Sequence, residues 1–144
     1  MKAALVAYLK TKPSVTTIAG NRIYPMVLPQ KETRPSLVYQ VISRTGNHHL
    51  GGAAGLPITR MQITANVTGF QTDRTAADLS DSLADGVRLA MDGFRGFWGN
   101  VEVTGCEKEN EVDDFEEPID ASDQGVFRVV QDYLIFHREQ IPQL

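Results

Sequence analysis

The sequence predicts an α+β domain, in which a mainly antiparallel sheet of about four strands is flanked by a long helix and a short N-terminal helix. From Ile58 to Thr68, apolar and polar residues alternate with the period of a strand that has one buried face. After Gly69, apolar residues recur every three or four positions, which indicates one stripe of a helix over residues 72–94. The stripe consists of Ala76, Leu79, Leu83, Val87, Ala90 and Phe94. We expect this stripe to lie across the apolar row of the sheet.

Length and composition indicate one ordinary globular domain. The chain has 144 residues, a typical length for one core, and no internal repeat divides it, so we predict a single domain over residues 1–144. Its 14 basic and 18 acidic residues give a net charge of -4 without a basic run, which disfavours a protein that grips nucleic acid. The single cysteine, Cys106, cannot form an internal disulfide and fits an intracellular compartment.

The N-terminal segment resembles a signal peptide only superficially. Its apolar run is short, and Lys10 and Lys12 stand where a small-residue cleavage site is expected. No stretch approaches the roughly 20 apolar residues that span a bilayer, so we expect no membrane association.

The N-terminal half of the chain alternates short elements with turns. Residues 2–12 read as an amphipathic helix that Pro13 ends, and residues 15–19 add a further turn. A short extended piece at Ile23 precedes residues 25–35, whose three prolines favour an extended connector. Alternation then predicts a strand from Leu37 to Thr45. This strand is expected to pair antiparallel with the Ile58 strand around the glycine-rich loop 46–55, whose tip is mobile by composition.

In the C-terminal half, Thr72 and Asp73 offer side-chain oxygens to the start of the long helix. Glycines break that helix at its end, and the aromatic residues between them are expected to seal the core. These aromatic residues are Phe94, Phe97 and Trp98. A third strand is predicted from Val101 towards Cys106.

The chain then becomes acidic, with nine carboxylates and one lysine over residues 107–123. We expect a solvated arm or loop here, because uncompensated carboxylates are not buried cheaply. The last predicted strand, residues 125–138, carries apolar groups on both faces. It is therefore expected to lie centrally, or along a face that a partner subunit covers.

No residue pattern in the chain indicates catalysis, a cofactor or a bound metal. His48 and His49 lack partners at ligand spacing, and the acidic run lacks the spacing of a calcium loop. The glycines at 51–55 precede a strand and lack the Lys-Ser/Thr pair of a phosphate loop. Cys106 is expected to be a half-buried strand thiol and not a nucleophile.

Several short motifs, in a fixed order, resemble one family. They are the steps Ile23-Tyr24-Pro25 and Leu28-Pro29-Gln30, the strand opening Pro35-Ser36-Leu37-Val38-Tyr39-Gln40, and the helix end Met91-Asp92-Gly93-Phe94-Arg95-Gly96. In this order and spacing, over about residues 1–138, the chain resembles the tail-completion or tail-terminator proteins of long-tailed bacteriophages and prophages.

The resemblance implies a structural role in a virion. Such proteins have an α+β fold and commonly form a six-membered ring, which caps the head-proximal end of the tail tube and joins it to the neck. The implied partners are further copies of the chain, the tail-tube protein and a head-completion or connector protein, while DNA passes through the lumen without specific binding. The implied location is the virion, after assembly in the bacterial cytoplasm.

Exposure and composition select three candidate contact regions: the loop 47–56, the proline connector 27–35 and the acidic segment. The candidate residues are His48, His49, Leu50, Leu28, Pro29, Gln30, Glu111, Asp113, Asp114 and Glu116. If the carboxylates face a central channel, they would repel the phosphates of DNA.

Two other classes of function stay open at this point. A small metal-dependent hydrolase would need a cleft that gathers His48, His49 and the acidic segment. A prophage-encoded regulatory module would bind a host protein through a free strand edge.

Overall fold

The structure, a computed structural model, describes residues 1–29, 32–118 and 124–141, and its fold is α+β. Its helices are α1 (Lys2–Leu9), α2 (Pro13–Ala19) and α3 (Arg74–Met91). The strands are β1 (Ile23–Pro25), β2 (Ser36–Thr45), β3 (His48–His49), β4 (Gly52–Ala53), β5 (Ile58–Gly69), β6 (Gly96–Trp98), β7 (Val101–Glu116) and β8 (Gly125–His137).

Six strands form one mixed sheet in the order β1-β2-β5-β8-β7-β6, in which β1 runs parallel to β2 and all other neighbours are antiparallel. The predicted α+β class and the four predicted strands are confirmed, as β2, β5, β7 and β8. The strand count of about four was too low, because the three-residue strands β1 and β6 are too short to show a period. β3 and β4 form a separate two-stranded ribbon between β2 and β5.

The helices cover one face of the sheet. The residues of β8 on that face are buried from Val129 to His137 at every second position, and their partners on β5 include Met61, Ile63 and Ala65. The central position predicted for β8 is confirmed, since β5 and β7 pair with its two sides.

Helix α3 presents its apolar stripe to this face. Asp73 caps its start by accepting a hydrogen bond from the Ala76 N–H at 3.2 Å. Leu83, Val87 and Met91 are fully buried. The helix ends three residues before the predicted Phe94, and Gly93 follows with a φ of 80°.

Helix α2 crosses α3 so closely that a glycine is required. A Cβ on Gly86 would collide with the backbone carbonyl of Ser14. The Ser14 hydroxyl donates to the Gly86 carbonyl oxygen at 2.9 Å, which fixes this crossing.

Three aromatic rings, those of Tyr8, Phe94 and Trp98, pack together at the end of the core next to α1. The ring centroid of Tyr8 lies 4.9 Å from that of Phe94 and 5.4 Å from that of Trp98. Trp98 is buried, so the predicted sealing role is confirmed for Phe94 and Trp98, whereas Phe97 is 65% exposed and does not take part.

The acidic segment is a strand over most of its described length, so the prediction of a loop was wrong for residues 107–116. These residues continue β7 and pair with β8 as far as Glu116 opposite Val126. The pairing uses backbone groups, and the carboxylates stay at the solvated edge of the sheet, so no carboxylate has to be buried.

Candidate assembly surfaces

The outer edge of β7 is the longest strand edge that other described strands leave unpaired. On that side β6 pairs only with Val101–Val103. The end of α3 then occupies the edge, because the Gly93 N–H donates to the Cys106 carbonyl at 2.7 Å and the Lys108 N–H donates to Asp92 Oδ1 at 3.0 Å. Residues 109–116, which we call the acidic edge, lie beyond these contacts.

Five of the eight residues of the acidic edge are carboxylates, and their side chains are exposed. They are Glu109, Glu111, Asp113, Asp114 and Glu116. Arginines of β5 and β8 supply ion pairs, with Arg60 at 2.8 Å from Glu109 and Arg128 bound to both Asp114 and Glu116. These pairs hold side chains in place, but exposed ion pairs contribute little to stability.

The side chains of the acidic edge divide between the two faces of the sheet. Glu111 lies on the helix face, where it accepts hydrogen bonds from Gln131 at 2.8 Å and from Lys108 at 3.1 Å. The bond from Gln131, followed by that from Lys108, lowers the pKa of Glu111 below its usual value. Asp114 and Glu116 lie on the opposite face with Arg128.

Acidic groups of α3 lie beside the acidic edge on the helix face. Asp81, Asp85, Glu111 and Asp113 line one shallow pocket there, together with Arg88 and Lys108. Partial burial raises the pKa of Asp81, and the charges of Asp113, Asp78 and Glu111 raise it further. Negative charge is therefore concentrated along this side of the molecule.

The opposite edge of the sheet is also open over part of its length. β1 pairs with only three residues of β2, Leu37–Tyr39. Residues 41–45 of β2, which we call the β2 edge, have no strand on their outer side in the described part of the chain, and Arg44 is exposed within them.

Charge is distributed unevenly along the chain, a signal that the predicted contact regions do not include. The first 57 residues, which form α1, α2, β1, β2 and the β3–β4 ribbon, contain seven of the 14 basic residues but only one of the 18 acidic residues, Glu32. Counting charge in windows along the sequence would have found this asymmetry. The strand order places Arg44 and the acidic segment at opposite edges of one sheet, whereas α1 packs beside β6 on the acidic side.

The helix-free face of the sheet holds a groove of about 530 Å³ that brings two of the predicted contact regions together. Leu28 of the connector, and Asp114 and Glu116 of the acidic edge, line it with Arg128. Pro29 lies beside Leu28 in the connector, and Gln30 lies outside the described residues. Met26 and Val27 are 61% and 71% exposed, so the connector also presents apolar surface.

The loop 46–57 forms an arm that extends the β2–β5 hairpin. Its ribbon pairs His48 with Ala53 and His49 with Gly52, and Leu50 at the tip is fully exposed. The predicted loop therefore contains a short ribbon.

The arm and the acidic edge lie at different ends of the sheet. Thr45 pairs with Ile58 and Ile58 with Phe136 where the arm begins, whereas Glu116 pairs with Val126 at the far end of β8. The structure thus does not bring His48 and His49 together with Glu116. Among the described residues, there is also no group of three or more His, Cys, Asp or Glu side chains placed to hold a metal ion.

Cys106 is more deeply buried than the sequence suggested, at 1% exposure. Burial, with smaller effects of Asp92 and Glu107, raises its pKa to about 12, so its thiol stays protonated near neutral pH. In the described ranges no helix combines the length and apolar character that crossing a bilayer requires.

The comparisons with known proteins agree with the resemblance seen in the sequence. No curated protein sequence matches the chain. Among solved structures, a chain of the "Virion of native gene transfer agent (GTA) particle" is similar, with a TM-score of 0.71 and 13% sequence identity, over 96% of this chain and 95% of that chain. This likeness concerns the fold. The family "Tail completion protein gp17" matches residues 3–138. Since the match spans nearly the whole sequence, the chain belongs to the tail completion protein gp17 family of virion tail proteins.

Proposed function

We propose that this protein completes the head-proximal end of a phage tail tube and joins the tube to the neck, as a homo-oligomeric ring through which DNA passes. The observation that carries the proposal is the family match over residues 3–138. The expected ring is a hexamer, and its expected neighbours are the tail-tube protein and a head-completion or connector protein.

The surfaces of the chain support a role in assembly. Two strand edges are open, and unpaired strand edges are natural templates for pairing with another chain. Leu50 at the arm tip and Val27 in the connector expose apolar side chains on separate parts of the surface. A ring subunit needs several such surfaces, for its two neighbours in the ring and for the proteins above and below it.

The proposal is a structural role without catalysis. The alternative hydrolase requires His48, His49 and the acidic segment in one cleft, and the strand register separates them. The alternative regulatory module has no observation that favours it over the family role. A virion component assembled in the bacterial cytoplasm follows from the same proposal.

Electron microscopy of particles made without this protein tests the proposal. We expect tails of uncontrolled length, or tails that fail to join heads, and restoration when the native chain is supplied from a plasmid. Tails of normal length that join heads normally in its absence would overturn the proposed function.

A further inference from the structure

We propose that neighbouring subunits meet head to tail, with the acidic edge of one copy (residues 109–116) against the β2 edge of the next (residues 41–45). This inference rests on the proposed function, because it names the contact by which the ring would close. The occupant of the acidic edge is thus a second copy of this chain.

Each of the two edges is open among the described residues, and each complements the other. The acidic edge offers eight residues of strand beyond the contacts with α3, and the β2 edge offers five beyond β1. Two strands of this length can pair through backbone N–H and C=O groups and extend the sheet from one subunit into the next.

The two edges also differ in charge. The acidic edge carries five carboxylates, and the acidic face of α3 lies beside it. The β2 edge carries the exposed Arg44, whose Nε donates to Thr59 Oγ1 at 3.3 Å. The preceding segment adds Arg22 and Arg34, of which Arg34 is 66% exposed and ion-paired with Glu32. Opposite potentials of this kind steer association and set which surfaces meet.

Charge also disfavours a symmetric contact between two acidic edges. Pairing of two acidic edges about a twofold axis would bring two rows of five carboxylates together, and like charges directly opposite in a sheet destabilise it. Ion pairs within each subunit offset part of this charge, but Asp113 is not in the ion pairs with Arg60, Lys108 and Arg128. A contact between two different edges is heterologous, and heterologous contacts produce rings when the rotation between subunits closes.

Cross-linking in assembled particles tests the contact for any register between the two strands. Ser43→Cys places a thiol on the β2 edge and Asp113→Cys places one on the acidic edge. The doubly substituted chain is supplied to particles that lack the native chain. The particles are then treated with a short bifunctional maleimide, which bridges a range of thiol distances, and the chain is detected on a denaturing gel.

We expect a ladder of covalent multimers that stops at the number of subunits in the ring. The native chain is one control, because its single thiol, Cys106, is buried. A chain with Ser43→Cys and Thr75→Cys is the matched control, since Thr75 is an exposed residue of α3 that does not line the pocket shared with the acidic edge. Neither control should give a ladder.

Charge exchange provides the second measurement. We expect Arg44→Glu or Asp113→Lys alone to weaken subunit association about tenfold or more, and the two together to restore much of it. Arg74→Glu, a reversal at an exposed site of α3, should have little effect. Circular dichroism of each purified variant checks that the fold is retained.

Three results would overturn the inference. The first is that particles with normal tails give no ladder. The second is that Asp113→Cys alone gives covalent dimers as its end product. The third is that lysine at Glu111, Asp113, Asp114 and Glu116 blocks DNA ejection while assembly stays intact. The last would place these side chains in the channel. In each case the protein is still required for tails, so the proposed function would survive and only the contact would fail.

Discussion

The helix-covered face of the sheet and the acidic edge differ in what determines their structure. Under α3, buried apolar side chains fill the space between helix and sheet, and the backbones of Ser14 and Gly86 approach without room for a methyl group. Along residues 109–116, backbone pairing with β8 holds the strand while the carboxylates stay in solvent. One region is thus built for stability, whereas the other exposes its side chains to solvent. Substitutions in the first region should unfold the protein, and substitutions in the second should change its assembly.

The largest expected effect is from Leu83→Ala. Leu83 is fully buried in α3, and its truncation should lower the free energy of unfolding by about 3 kcal/mol, through lost apolar contact and the cavity left behind. Leu89→Ala, at a 65% exposed position of the same helix, is the control and should cost far less. Urea denaturation of both variants measures the difference, and equal losses would contradict the described orientation of α3.

A substitution that normally stabilises a helix should be harmful at Gly86. Alanine in place of glycine usually stabilises a helix interior by roughly 0.5–1 kcal/mol. Here the added Cβ meets the Ser14 carbonyl, so α2 must shift, and we expect a net loss of about 2 kcal/mol. Ser82→Ala on the exposed side of α3 should show the ordinary small gain. Thermal denaturation of the two variants compares them, and a more stable Gly86→Ala protein would refute the close crossing.

Lowering the pH should reduce the stability of the folded protein, because His137 is buried. Burial lowers the pKa of this imidazole, an effect that the charges of Arg44 and the N-terminus reinforce and that the Arg138 backbone and Glu139 oppose. The ring also hydrogen-bonds Thr59 at 2.8 Å. In the unfolded chain His137 takes up a proton near its usual pKa of about 6.5, whereas the folded state resists protonation. Stability should therefore fall as pH drops below that value.

Urea midpoints at pH 7.5 and pH 6.0 measure this loss. His137→Gln should flatten the dependence, although it also costs some stability at both pH values, while His48→Gln in the exposed arm should leave the dependence intact. If the pH dependence of the urea midpoint persists unchanged in His137→Gln, a group other than His137 causes it.

The smallest effect on folding is expected at the acidic edge. Asp113→Asn removes a charge from an exposed strand position and should change the free energy of unfolding by no more than about 0.5 kcal/mol. Its thermal midpoint should match that of the native chain. A loss comparable to that of Leu83→Ala would mean that the acidic edge contributes to the fold itself, and the contrast between the two regions would disappear.

The sequence alone determined the elements whose signal is local. Alternation predicted β2, β5 and β8, the three-and-four spacing predicted α3, and Asp73 marked its start, because the side-chain period of a strand or a helix is a property of the segment itself. The order of short motifs was sufficient to identify the family that the chain resembles. The three-residue strands β1 and β6 carry too few residues to show any period.

The tertiary structure decided what depends on a partner backbone. The acidic residues 107–116 have the composition of a loop, and they form a strand because β8 offers its free side along their whole length. The strand order likewise decided that Arg44 and the acidic segment lie at opposite edges of one sheet. Strand pairing joins residues distant in sequence through backbone groups that every residue type carries, so side-chain composition along the chain could not predict it.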